Sequence, residues 1–110
     1  MRSSTAKDHY FRGRDKARLG DIEGAMEEYT TAIGLNPDYA EAYIFRGVAK
    51  REKDDYFGAI ADLTKAIELQ PDNAVAHSFR ALLYEKIGNH EAAFADRAKA
   101  EKLTKKSGQK

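Results

Sequence analysis

Ala40–Asn73 reads AEAYIFRGVAKREKDDYFGAIADLTKAIELQPDN, and this stretch decides how the rest of the chain is read. Sliding it by 34 residues in either direction lays it on Ala6–Tyr39 and on Ala74–Ser107 without a gap. Self-similarity at such a period marks a stack of small supersecondary units rather than one irregular core. The agreements fall where close packing demands them. Position 8 of the unit is Gly13, Gly47 and Ala81, position 20 is Ala25, Ala59 and Ala93, and position 27 is Ala32, Ala66 and Ala100. Position 30 is leucine throughout, as Leu35, Leu69 and Leu103.

Each unit divides into two helices. The first runs over positions 1–14 and stops at Gly20, Asp54 or Gly88, residues that tolerate a left-handed backbone. The second runs over positions 17–30 and is ended by Asn36-Pro37-Asp38 or Gln70-Pro71-Asp72, because proline cannot continue a helix. Breaks this short make the helices antiparallel neighbours. Alanine or glycine at positions 8, 20 and 27 lets their axes approach to about 8–10 Å. Ile33, Ile67, Leu35 and Leu69 are then expected to fill the layer between them. The expected fold is all-α, six helices in three hairpins with no strands, and stacking supplies the core that one hairpin lacks.

The spacing resembles the tetratricopeptide repeat family. The small residue at position 8, the alanines at 20 and 27, Tyr29 and Leu63 at 24 and the prolines at 32 carry the resemblance. Departures are Arg12, Arg46 and Arg80 at position 7, Lys16 and Lys50 at 11, and Arg97 and Lys105 in the third copy. The resemblance implies a right-handed α-solenoid whose first helices line a concave, peptide-holding groove. The expected organisation is a leader over 1–5, one domain over 6–107 with repeats 6–39, 40–73 and 74–107, and a tail over 108–110. Thr104–Lys110 reads as a solvated basic stretch, since no separate capping helix follows.

A buried arginine needs a counter-charge. Position 23 supplies one acid per repeat, so the expected pairs are Arg12 with Glu28, Arg46 with Asp62 and Arg80 with Asp96. The competing reading has these guanidinium groups gripping a ligand.

At about 100° per residue, positions 2, 6, 9 and 13 share the side of the first helix opposite position 8, with 5 and 12 at its borders. Position 6 is Phe11, Phe45 and Phe79. The candidate groove comprises these with Lys7, Tyr10, Arg14, Arg18, Ile44, Val48, Arg51, Val75 and Leu82, basic toward the first repeat and apolar toward the third. Two readings of the phenylalanines stand side by side: anchors for a peptide, or packing against the neighbouring repeat. The expected partner is a protein or peptide segment with apolar anchors and acidic residues that meet Arg14, Arg18 and Arg51. The chaperone-tail carboxylate clamp of the family needs Lys, Asn, Asn, Lys and Arg where this chain has Tyr10, Arg14, Phe45, Val75 and Phe79, which argues against such a ligand.

The remaining chemistry is sparse. There are no cysteines, and His9, His77 and His90 lack the i, i+4 spacing of a helical metal pair. Neither a phosphate-binding glycine loop nor a paired-carboxylate pocket is legible, so the expectation is no enzyme, no cofactor and no metal. Net charge is +4 over residues 1–20, −6 over 21–70 and +3 over 71–110. The acidic middle interrupts any basic track from Arg2–Arg18 to Lys99–Lys110, which disfavours nucleic acid or an anionic membrane. Without an apolar run near 20 residues no membrane span is expected, and the cytoplasm is the default location. The functional expectation is a protein-binding adaptor, the alternative being a homo-oligomeric scaffold made by end-to-end stacking of repeats.

Overall fold

The computed structural model describes residues 3–108, with side chains through 106; residues 1–2 of the leader and 109–110 of the tail lie outside the described residues. Six helices follow one another: α1 (Ala6–Arg18), α2 (Ile22–Leu35), α3 (Ala40–Glu52), α4 (Tyr56–Leu69), α5 (Ala74–Lys86) and α6 (His90–Gly108). Among the described residues there is no strand. The helices form three antiparallel hairpins stacked as an α-solenoid.

Local chemistry sets the helix ends. Thr5 and Asp8 exchange side-chain and backbone hydrogen bonds in a capping box at the start of α1. Asp21, Asp55 and Asn73 accept from the backbone N–H groups of Gly24, Gly58 and Ala76, satisfying donors a helix start leaves free. Between the helices of each hairpin the chain turns through Gly20, Asp54 and Gly88, with φ of 88°, 62° and 83°. Asp54 is thus the one non-glycine held left-handed among the described residues, a conformation its short polar side chain tolerates.

The small residue at position 8 is required by what lies opposite it. A Cβ on Gly13 would stand 2.6 Å from the Tyr29 ring, and one on Gly47 would collide with the end of Leu63. Position 24 of the third repeat is the exposed Arg97, and there position 8 is alanine. The buried clusters run through the hairpins and across the junctions between them. Tyr10, Ala25, Tyr29 and Ala32 of the first repeat join Ala42 and Ala49 of the second in one cluster. Tyr43, Ile44, Ala59, Leu63 and Ala66 join Ala76 and Leu83 of the third in another.

Two expectations are corrected. Leu35 does not fill the layer: as the last residue of α2 it is 56% exposed. The stretch after Leu103 is not an irregular tail up to Lys106, because α6 continues to Gly108. Lys105 stands where the first two repeats have proline, so nothing stops the helix. A Lys105–Glu101 ion pair at 3.1 Å and a hydrogen bond from the Thr104 hydroxyl to the Ala100 carbonyl line the added turn.

Leu63 and Leu35 provide an internal contrast. Leu63→Ala should cost about 2–5 kcal/mol in urea unfolding, whereas Leu35→Ala should cost about 0.5 kcal/mol. Equal losses would contradict a core seated in these clusters.

Candidate interaction groove

The first helices α1, α3 and α5 lie side by side and carry positions 2, 6, 9 and 13 along one face. Lys7, Phe11, Arg14, Arg18, Val75 and Leu82 are exposed there, while Phe45, Val48, Arg51 and Phe79 are half-buried. Tyr10 and Ile44, both at position 5, are buried and do not reach the groove. Position 5 sits at the border of the face, and the following hairpin closes over it. The Tyr10 ring is 5.1 Å from that of Tyr39 and 5.8 Å from that of Phe45.

The three phenylalanines are not equivalent. Phe11 is 49% exposed. Phe45 wedges against Tyr10 and lies 6.4 Å from Tyr29, both in the repeat before it, and Phe79 packs on the second cluster. Packing therefore occupies Phe45 and Phe79 in part, and what stays open around Phe79 is an apolar depression. It measures about 230 Å³ and is bordered by Val75, Ser78, Leu82 and Thr104. A second hollow of about 280 Å³ lies beside Phe45, Val48 and Glu52.

Arg14 is held at the basic end of this face. Its Nη1 donates to the Tyr10 hydroxyl at 3.0 Å, and its guanidinium lies 4.2 Å from the centre of the Phe45 ring. Such stacking fixes a planar cation without consuming its charge. No carboxylate among the described residues pairs with Arg14, whereas Arg18 is paired with Asp15. Burial pushes the Tyr29 hydroxyl up to about 12, with the Arg14 charge pulling weakly the other way.

Of the three expected arginine–carboxylate pairs, the structure brings two together. Arg46 donates to both oxygens of Asp62 at 2.9 and 2.8 Å, and Arg80 to both of Asp96 at 2.7 and 2.9 Å. The Arg12–Glu28 pair is absent. Arg12 instead donates to the Ser4 hydroxyl at 2.7 Å, and Glu28 is taken by His9 at 2.8 Å and Lys16 at 2.9 Å. The two formed pairs have a further partner. Arg46 also reaches the Thr30 hydroxyl and Arg80 the Thr64 hydroxyl, each at position 25 of the preceding repeat. Arg12 meets no such threonine among the described residues.

These threonines were missed in the sequence, as were two hooks from position 4. The Tyr43 hydroxyl donates to the Pro37 carbonyl, and His77 Nε2 meets the Pro71 carbonyl, both at 3.0 Å. His77 Nδ1 lies 3.3 Å from Asp96, and His90 Nδ1 2.8 Å from Glu85. Each histidine thus faces a carboxylate. Among the described residues no group of three or more His, Cys, Asp or Glu could hold a metal ion.

The His9 hydrogen bond, followed by that of Lys16, holds the Glu28 carboxyl below its ordinary value of 4.5. A lowered folded value means the stabilisation is present above the unfolded value and is lost as pH falls through the folded one. The melting temperature of Glu28→Gln should therefore sit a few degrees below wild type at neutral pH, and the gap should close on acidification below about pH 4. A gap independent of pH would contradict the ionised role of Glu28.

Residues 13–50 and 47–88 match a family model described as TPR repeat. No curated protein matches the chain. Among solved structures, MamA superposes at TM-score 0.91 with 26% identity over 94% of this chain, which spans 61% of the MamA chain. The second TPR of Spaghetti (RPAP3), bound to the HSP90 peptide SRMEEVD, superposes at 0.88 with 26% identity, covering 91% of this chain and 93% of that one. The first TPR of the same protein, with the same peptide, is 20% identical at TM-score 0.89 over 94% and 82%, a likeness of fold alone. With the matched segments spanning well over half its length, the chain belongs to the TPR repeat family.

Proposed function

We infer that this chain is a protein-interaction module that holds a peptide segment of a partner along the face of α1, α3 and α5. The observation that carries this reading is an open apolar strip on the first helices, beside a fixed cation. Val75 is 57% exposed beside the hollow at Phe79, and Arg14 lies on Phe45 with its charge unspent. An apolar side chain of the partner would fill the hollow, and an acidic one would meet Arg14, with Lys7 and Arg51 nearby on the same helices. Charge-assisted contact to a planar, preorganised guanidinium favours carboxylate over neutral groups.

The peptide-bound RPAP3 domain supports the groove as a place where a chain of this fold can hold a peptide. It does not carry over the ligand. Tyr10, Arg14, Phe45, Val75 and Phe79 occupy the places of the family's carboxylate clamp, and Tyr10 is buried besides. Binding without catalysis, by a chain working in the cytoplasm, completes the proposal. No helix among the described residues is long and apolar enough to cross a membrane.

Peptides selected from a displayed random library against the wild-type domain provide the probe. Titrating a selected peptide should shift the NMR signals of Val48, Val75 and Phe79. The double variant Val48→Ser/Val75→Ser should weaken it about tenfold, near 1.4 kcal/mol, with helicity retained. Shifts confined to the opposite face, around Met26 and Thr30, would overturn the groove.

A further inference from the structure

The outer faces of the first and third repeats differ from the internal junctions in a matched way, and we propose that copies of this chain stack head to tail, the third repeat of one receiving the first repeat of the next. The internal junctions supply the register. Position 7 of a repeat reaches position 25 of the one before, as Arg46 does Thr30 and Arg80 does Thr64. Position 14 reaches position 18, as Lys53 Nζ does Glu23 at 2.6 Å. Position 6 meets positions 5, 9 and 24, as Phe45 does Tyr10, Arg14 and Tyr29. Positions 3 and 10 share a buried cluster with position 24: Ala42 and Ala49 with Tyr29, and Ala76 and Leu83 with Leu63.

Continuing that register from one copy into the next brings together charged residues that already have partners within the chain: Asp8 caps α1 with Thr5, Asp15 pairs with Arg18, and Arg97 lies 3.9 Å from Glu85. Position 24 of the third repeat is Arg97, and positions 3 and 10 of the first are Asp8 and Asp15. Where the interior buries a large apolar side chain between two small or apolar ones, the ends would place one cation between two carboxylates. Position 14 of the first repeat is Leu19, 84% exposed, and it would come beside Glu91 and, one turn along α6, Phe94, 69% exposed. Phe11 would enter the hollow beside Ser78 and Leu82, as Phe45 sits against Tyr10 and Arg14 at the first internal junction, and would there compete with a peptide side chain. Arg12, lacking a carboxylate in its own repeat, would arrive beside Ala98 and Glu101.

A face that served only to end the array in water has no use for Leu19 and Phe94, and a face built for indiscriminate stacking has no use for Arg97 and Asp15. The combination is selective: a like-charged junction is penalised and the complementary one is not. A heterologous contact of this kind need not close on itself, so each added copy presents the same free end. It also extends the row of phenylalanines into the next molecule, which goes beyond the binding of a peptide by one copy.

Sedimentation equilibrium from micromolar to millimolar concentration tests the proposal, using charge reversals at exposed positions. Wild type should gain average mass with concentration. Arg97→Asp and Asp15→Arg should each remain monomeric with unchanged circular dichroism, whereas the double variant Arg97→Asp/Asp15→Arg should recover association. A 1:1 mixture of the two single variants should also associate, since each supplies the end the other lacks. A wild type monomeric over the whole range, or a mass increase insensitive to either single reversal, would overturn the head-to-tail register. Peptide binding by the monomeric variants separates this outcome from the groove itself.

Discussion

The contact on which the molecule depends is the large side chain at position 24 resting on the glycine at position 8 of its own hairpin. A methyl group on Gly13 would stand 2.6 Å from the Tyr29 ring, and one on Gly47 would push aside the end of the Leu63 side chain. That closeness makes each hairpin a thin, flat-sided unit. Its buried ring or isopropyl group is then shared with the next repeat, so the apolar effect acts across junctions. The third repeat changes both halves of the arrangement together: position 24 is the exposed Arg97 and position 8 is Ala81.

Polar forks lock the register that apolar contact alone would leave loose. One guanidinium bridges the carboxylate of its own second helix and the threonine of the previous repeat, at Arg46 and again at Arg80. Removing an acid would strand a half-buried cation, so such a fork resists sliding more than it adds to net stability. Position 4 adds a hook to the carbonyl of the preceding proline, through tyrosine in one repeat and histidine in another. With the register held this way, equivalent side chains on α1, α3 and α5 stand in a row, and the candidate binding face follows from repetition.

Most of the fold was legible because its determinants are short-range and recur. Period, helix breaks, small positions and the two arginine forks follow from residue type at fixed spacing. Context beyond one repeat was not legible. Tyr10 and Ile44 share the angular sector of the groove but are covered by the following hairpin, which a helical wheel cannot show. Arg12 does not pair with Glu28 because His9 and Lys16 hold that acid. Lys105 signalled the continuation of α6 through the absence of proline, a weaker sign than a proline's presence.

The stacking of Phe45 on the preceding repeat joins core, junction and groove in one side chain, and solution NMR reads it directly. Nuclear Overhauser contacts from the Phe45 ring to the rings of Tyr10 and Tyr29 are the expected result, in dilute monomeric protein where Phe11 shows none to α6. A Phe45 ring without contacts to Tyr10 and Tyr29 would contradict the repeat-to-repeat register from which both the groove and the end faces are built.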